Sequence, residues 1–145
     1  MQRFHFRLGS VLGWRALQLE LERGKLETLL AGRKRIAQDL ARLAEVREAS
    51  EKLLASDAVE GQDLAALDAH RYALARAAAR LRASEAECDR DIARQRANVL
   101  EAERRVRLLE RLKERRLAEW QAAVDRELEA LASETFLAKW VRDRA

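Results

Sequence analysis

The chain has 145 residues, 37% of them charged, with no proline, 5% aromatic residues and a net charge of +4. Ala, Leu, Glu and Arg dominate, a profile of long helices and coiled coils that argues against a compact globule. The single cysteine, Cys88, excludes an internal disulfide and fits a reducing compartment.

The opening MQRFHFRLGSVLGWRAL, residues 1–17, carries arginines at 3, 7 and 15 inside its apolar stretch. It matches neither a secretory signal nor the ~20-residue apolar span that a bilayer requires. The composition therefore predicts a soluble, cytoplasmic protein. Leu8, Leu12, Leu19, Leu26, Leu29, Ile36, Leu40, Leu43 and Leu54 then fall on the a and d positions of one continuous heptad frame, which predicts a helix over about 4–56. Arg15, Arg33, Arg47 and Ser50 interrupt that seam with polar side chains. Glycines at 9, 13, 24 and 32 each cost about 1 kcal/mol relative to Ala inside a helix, so this arm is the softer one.

SDAVEGQD, residues 56–63, gathers the stop and start signals of two helices and predicts a turn at about 57–62. A second helix is expected over about 63–142, with Leu64, Leu67, Leu74, Leu81, Cys88, Ile92, Val99, Val106 and Leu109 on its seam. The register continues in Leu117, Trp120, Val124, Leu128 and Leu131 only after a four-residue insertion, a stutter that locally unwinds a supercoil. Cys88 follows the leucine register and reads as a small buried hydrophobe.

One turn between two matching seams predicts an all-α, antiparallel two-helix coiled-coil hairpin, spanning 1–145 as a single domain. The arms are unequal. With the pivot near residue 60, Leu8 should lie beside Leu112, leaving about thirty C-terminal residues unpartnered; at 1.5 Å per residue the second helix would be on the order of 120 Å long. Trp14, Leu17 and Leu21 lie nearly opposite the Leu8, Leu12, Leu19 seam, a face the hairpin itself cannot cover. Either a partner or a second copy is expected to bury Trp120, Phe136 and Trp140, or they stay partly exposed on a frayed arm.

His5 and His70 have no companions at metal-ligand spacing, and no Gly-rich phosphate loop, zinc-protease pair or Ser/His/Asp set can be assembled, so no metal, cofactor, small-molecule ligand or catalytic activity is expected. ERRVRLLERLKERRLAEWQ, residues 103–121, holds the densest basic cluster, from Arg104 to Arg116. Three readings of it stay open: a solvated face, a protein-docking surface and a nucleic-acid helix. Interleaved Glu101, Glu103, Glu110 and Glu114 weigh against nucleic acid, because counterion release wants uncompensated charge. A basic-zipper arrangement would place the seam after the basic region, whereas here it comes before.

FHFRLGSVLGWR, residues 4–15, resembles the F-x-F-R-L-x-x-V-L-x-x-R opening of the flagellar export protein FliJ family. LLERLKERRLAEW, residues 108–120, resembles that family's L-E-x-L-K-E-R-R segment. RELEALASETF, residues 126–136, is similar to its closing stretch, and EGQDLAALDAHRYAL, residues 60–74, to the region after its turn. Departures are Trp120, where tyrosine is more frequent, and Gly13 with Trp14 in place of more polar residues. The resemblance implies a non-enzymatic stalk of the flagellar type III protein export apparatus, with injectisome stalk proteins as relatives. It implies docking into a hexameric export ATPase ring, contact with an export gate membrane protein and export chaperones, and a place at the cytoplasmic face of the inner membrane at the flagellar base. The motif match carries partner contact onto Phe4, Phe6, Arg7, Leu8, Leu12, Arg15, Leu109, Leu112, Lys113, Arg115 and Arg116. The uncovered stripe adds Trp14, Leu17 and Leu21, and Trp120 completes the expected surface. No nucleic acid is expected as partner, and the free chain is expected to be a monomer; the alternative is a structural dimeric coiled coil without an ATPase partner.

Overall fold

The computed structural model describes residues 3–56 and 61–144. Two helices, α1 (Gly9–Ser56, 48 residues) and α2 (Gly61–Arg144, 84 residues), pack against each other as an all-α coiled-coil hairpin with unequal arms. Of the expected turn, positions 57–60 lie outside the described residues. Positions 61 and 62 already belong to α2, whose first turn carries Asp63, a carboxylate beside the unpaired N–H groups of a helix start.

The expected start of the first helix, at about Phe4, is corrected to Gly9. Residues 3–6 form no helix and residues 7–8 form a turn. The Gly9 N–H donates to the Phe6 carbonyl at 3.0 Å, and the Leu12 N–H donates the first helical bond to the Leu8 carbonyl at 2.9 Å. The reason is visible in RFHFR: exposed Arg3, His5 and Arg7 alternate with half-buried Phe4 and Phe6. That period of two suits an extended chain, whereas a helix would turn the two phenylalanines to different sides.

The hairpin divides into two compact units, one of Glu20–Leu100 and one of the residues up to Leu19 with those from Glu101 on. In the Glu20–Leu100 unit, α1 turns Leu26, Leu29, Ile36, Leu40, Leu43 and Leu54 inward as the heptad frame requires. Against them α2 sets one row at 67, 74, 81, 88 and 95 and another at 78, 85, 92 and 99. Ile92 at 6% exposure is the best buried apolar side chain there. The Cys88 thiol donates to the Leu29 carbonyl at 3.5 Å, and Ser50 Oγ lies 3.2 Å from His70 Nε2, so the antiparallel pairing is centred close to residue 60.

Polar side chains also occupy this seam, and Gln95 and Arg33 have partners across it. Gln95, 8% exposed, donates through Nε2 to the Glu22 carbonyl at 3.0 Å and to the Glu22 carboxylate, and Asn98 Nδ2 donates to Gln95 Oε1 at 3.3 Å. Arg33 reaches over the seam to Glu85 and Asp89, both at 2.7 Å. A polar side chain in a coiled-coil core fixes register at some loss of stability, and pairing keeps that loss small. Hydrogen bonds from Lys25 and then from Gln95 hold the Glu22 carboxyl below its ordinary value of 4.5, against a smaller opposing effect of desolvation. The ionised form is therefore favoured by folding.

In the other unit Leu19 and Val106, 7% and 8% exposed, are the best buried apolar side chains. Inward positions on α2 pass from 102, 106 and 109 to 112, 117, 120 and 124. The seven-residue frame would have chosen 113 and 116, which are exposed instead. That is the expected stutter. From Asp125 to Arg144 every residue of α2 is exposed.

Gly24 and Gly32 have helical backbone without positive φ, and a Cβ at either would meet nothing within 4 Å. Gly24→Ala with Gly32→Ala should therefore raise unfolding stability in urea by about 1–2 kcal/mol; an unchanged or lower midpoint would mean that the glycines serve a purpose in the fold. Glu22→Gln should cost stability at neutral pH, and that deficit should shrink as the medium is acidified below the ordinary glutamate value of 4.5. A pH-independent deficit in parallel melts would mean that the Glu22 charge contributes nothing.

Candidate docking surface

The unit that joins the first residues to the last gathers most of the residues expected to contact a partner. The non-helical segment 3–8 lies along α2 so that Phe4 meets Trp120, with ring centroids 6.0 Å apart and planes at 53°. This tilted contact suits the aromatic quadrupoles better than a stacked sandwich. Phe4, Phe6, Leu8, Leu112 and Trp120 floor a groove of about 920 Å³. Arg3, His5, Arg7, Arg116 and Glu119 form its rim. Leu8 and Leu112, expected to be neighbours, line it from the two sides.

The rim is basic. Arg116 donates to Glu119 at 3.0 Å, an exposed pair of little energetic weight. Arg3 and Arg7 have no ion-pair partner among the described residues, and neither do the exposed Lys113 and Arg115 on α2. Arg15 differs: it is half-buried, donates to Gln18 at 3.2 Å and stacks its guanidinium 4.8 Å above the Trp14 ring. Leu12 and Leu109 are half-buried in the seam, so they support the surface from within.

The expected stripe opposite the seam is uncovered. Trp14, at 52% exposure, and Leu17 stand free in this unit together with Val11. Leu21 is likewise exposed but falls in the Glu20–Leu100 unit, so it is described apart from them. Exposed Leu128, Leu131, Phe136, Leu137, Trp140 and Val141 follow on α2, and Arg144 stacks 4.0 Å above the Trp140 ring. At 100° per residue, Leu128 and Leu131 continue the Leu117, Trp120, Val124 stripe, whereas Phe136, Leu137, Trp140 and Val141 lie about half a turn around the helix from it.

Sequence reasoning did not include Arg3, His5 or Glu119 in the surface. The alternation in RFHFR was the available signal for Arg3, because it aligns Arg3 with Arg7. It also left aside a second groove, of about 670 Å³, in the Glu20–Leu100 unit. Leu40, Leu43, Leu74 and Ala78 floor that groove, with Arg71 and Arg82 beside them. The alanine run from Ala75 to Ala79, broken only by Arg76, leaves space that larger seam residues would fill. Among the described residues no group of three or more His, Cys, Asp or Glu side chains is placed to hold a metal ion, and no helix is long and apolar enough to cross a membrane.

Comparison with protein-family models, with curated proteins and with solved structures finds no match to this chain.

Trp120 should report directly on its Phe4 cover. In a chain whose only tryptophan is Trp120, made by Trp14→Phe and Trp140→Phe, Phe4→Ala should shift emission to longer wavelength and cost about 1 kcal/mol of stability. Emission that stays in place would mean that the two rings are apart in solution.

Proposed function

We propose that the chain is a non-enzymatic stalk component of the flagellar type III protein export apparatus, docking into a hexameric export ATPase ring and linking it to an export gate membrane protein and export chaperones. One observation carries the reading. Residues 4–15 and 108–120, which hold the family-like motifs at distant places in the sequence, come together in one unit, with Phe4 on Trp120 and Leu8 across a groove from Leu112. Exposed Arg7, Lys113 and Arg115 then steer a charged partner, while aromatic and leucine side chains supply most of the binding energy.

The uncovered end of α2 supports the same reading. A second helix can bury only one stripe, and here the apolar side chains of 128–141 point to two opposite sides. A socket that surrounds the helix would cover both. The groove at Leu40, Leu43 and Leu74 offers a further partner a surface in the other unit. In this reading the protein works in the cytoplasm, at the inner face of the membrane beneath the flagellum.

A structural dimer without an ATPase partner is the second reading, favoured by the same exposed residues. Sedimentation separates the two, since a monomer fits the stalk and a stable dimer fits the rival.

Added to a purified hexameric export ATPase, the chain should promote ring assembly or ATP hydrolysis; no response at saturation counts against the stalk. Trp14→Asp, or Arg115→Glu with Arg116→Glu, should weaken that binding about tenfold or more while helicity stays near wild type. A matching loss of helicity would assign these side chains to folding and not to docking.

A further inference from the structure

The segment 3–8 offers more than a lid on Trp120. Arg3, His5 and Arg7 occur at every second position and are exposed together, while Phe4 and Phe6 turn inward. Successive outward side chains on an extended chain stand about 7 Å apart, the repeat at which another extended chain presents its own. The backbone N–H groups of Phe4, His5 and Phe6 have no hydrogen-bond partner among the described residues. Among the described residues no carboxylate is paired with Arg3 or Arg7. Unpaired backbone beside a row of cations is a template for one kind of ligand.

We propose that this segment binds an extended, carboxylate-bearing stretch of a partner protein, laid alongside residues 3–6 and ending at the turn that carries Arg7. Its alternate acidic side chains would meet Arg3 and Arg7, and the intervening apolar ones would enter the groove toward Leu8 and Leu112. Main-chain hydrogen bonds supply affinity in such strand addition, and the alternation supplies specificity. Arg116 lies on the same rim and adds a third guanidinium once the partner's carboxylates compete with Glu119. As a statement about the partner's chemistry at the docking unit, the proposal rests on the docking reading above.

The test uses the full chain and a short fluorescein-labelled peptide alternating glutamate and valine, followed by anisotropy. The chain should bind this peptide, and binding should weaken about tenfold in Arg3→Glu with Arg7→Glu, since two ion pairs turn into repulsions. Arg142→Glu with Arg144→Glu, the same charge change elsewhere, should leave affinity unchanged, and both variants should keep parental helicity. A peptide of the same composition with its glutamates and valines in separate blocks should bind at least fivefold more weakly. Three results would overturn the proposal: equal affinity for a lysine and valine peptide, equal affinity for the block peptide, or single-stranded oligothymidine bound as tightly as the acidic peptide. Stimulation of the export ATPase with no peptide binding sinks this proposal alone, whereas peptide binding with no ATPase response sinks the stalk and leaves the acidic ligand standing.

Discussion

Two helices in contact can hide only one stripe apiece, and that limit governs this protein. Leu19, Ile92 and Val106 are its best buried apolar side chains, each lying on the shared seam. Among the described residues no third layer takes up Trp14 and Leu17 on the far side of α1, or the apolar residues of α2 beyond Val124. Globular domains bury such side chains internally. Here their exposure follows from architecture, and a chain that keeps them must be read with whatever covers them in mind.

The same limit explains where charge sits. With most of each helix wet, Arg, Lys, Glu and Asp pair along their own helices, as in Arg105 with Glu101, Arg47 with Glu51 and Lys52 with Glu48. Such exposed pairs contribute about 0.2–0.5 kcal/mol each. They keep the helices soluble and regular without deciding how they meet. Cations left outside these pairs are informative for that reason. Arg3 and Arg7 stand outside such pairs among the described residues, and both lie on the rim of the groove beside Trp120.

Much of the fold was legible in the sequence because its determinant is periodic. The heptad frame through Leu26 marks most inward positions of α1, with Arg47 exposed and Gln18 and Gly32 half-buried off the frame, and the mismatch between Val106 and Leu117 appears as half-buried Leu112 beside exposed Lys113. Three kinds of position escaped that logic. Gln95, Glu85 and Ala78 sit on the seam without being large and apolar, so an apolar count passes over them. Residues 3–8 obey a period of two, which a search for helical spacing overlooks. The groove at Leu40 and Leu74 arises from what alanine leaves unfilled, a matter of volume and not of pattern. Among the expected contact residues, those adjoining the seam come together around Phe4 and Trp120, whereas Leu21 belongs to the other unit.

Arg33 gives the pairing an alignment that leucines alone would not. A leucine seam is nearly indifferent to sliding by seven residues, because each leucine finds another in the next hole. Slid one repeat either way, Arg33 would lose Glu85 and Asp89 and face Ile92 with Arg96, or Ala78 with Arg82. Each mistaken alignment thus sets guanidinium against guanidinium, and the hairpin has one place to close.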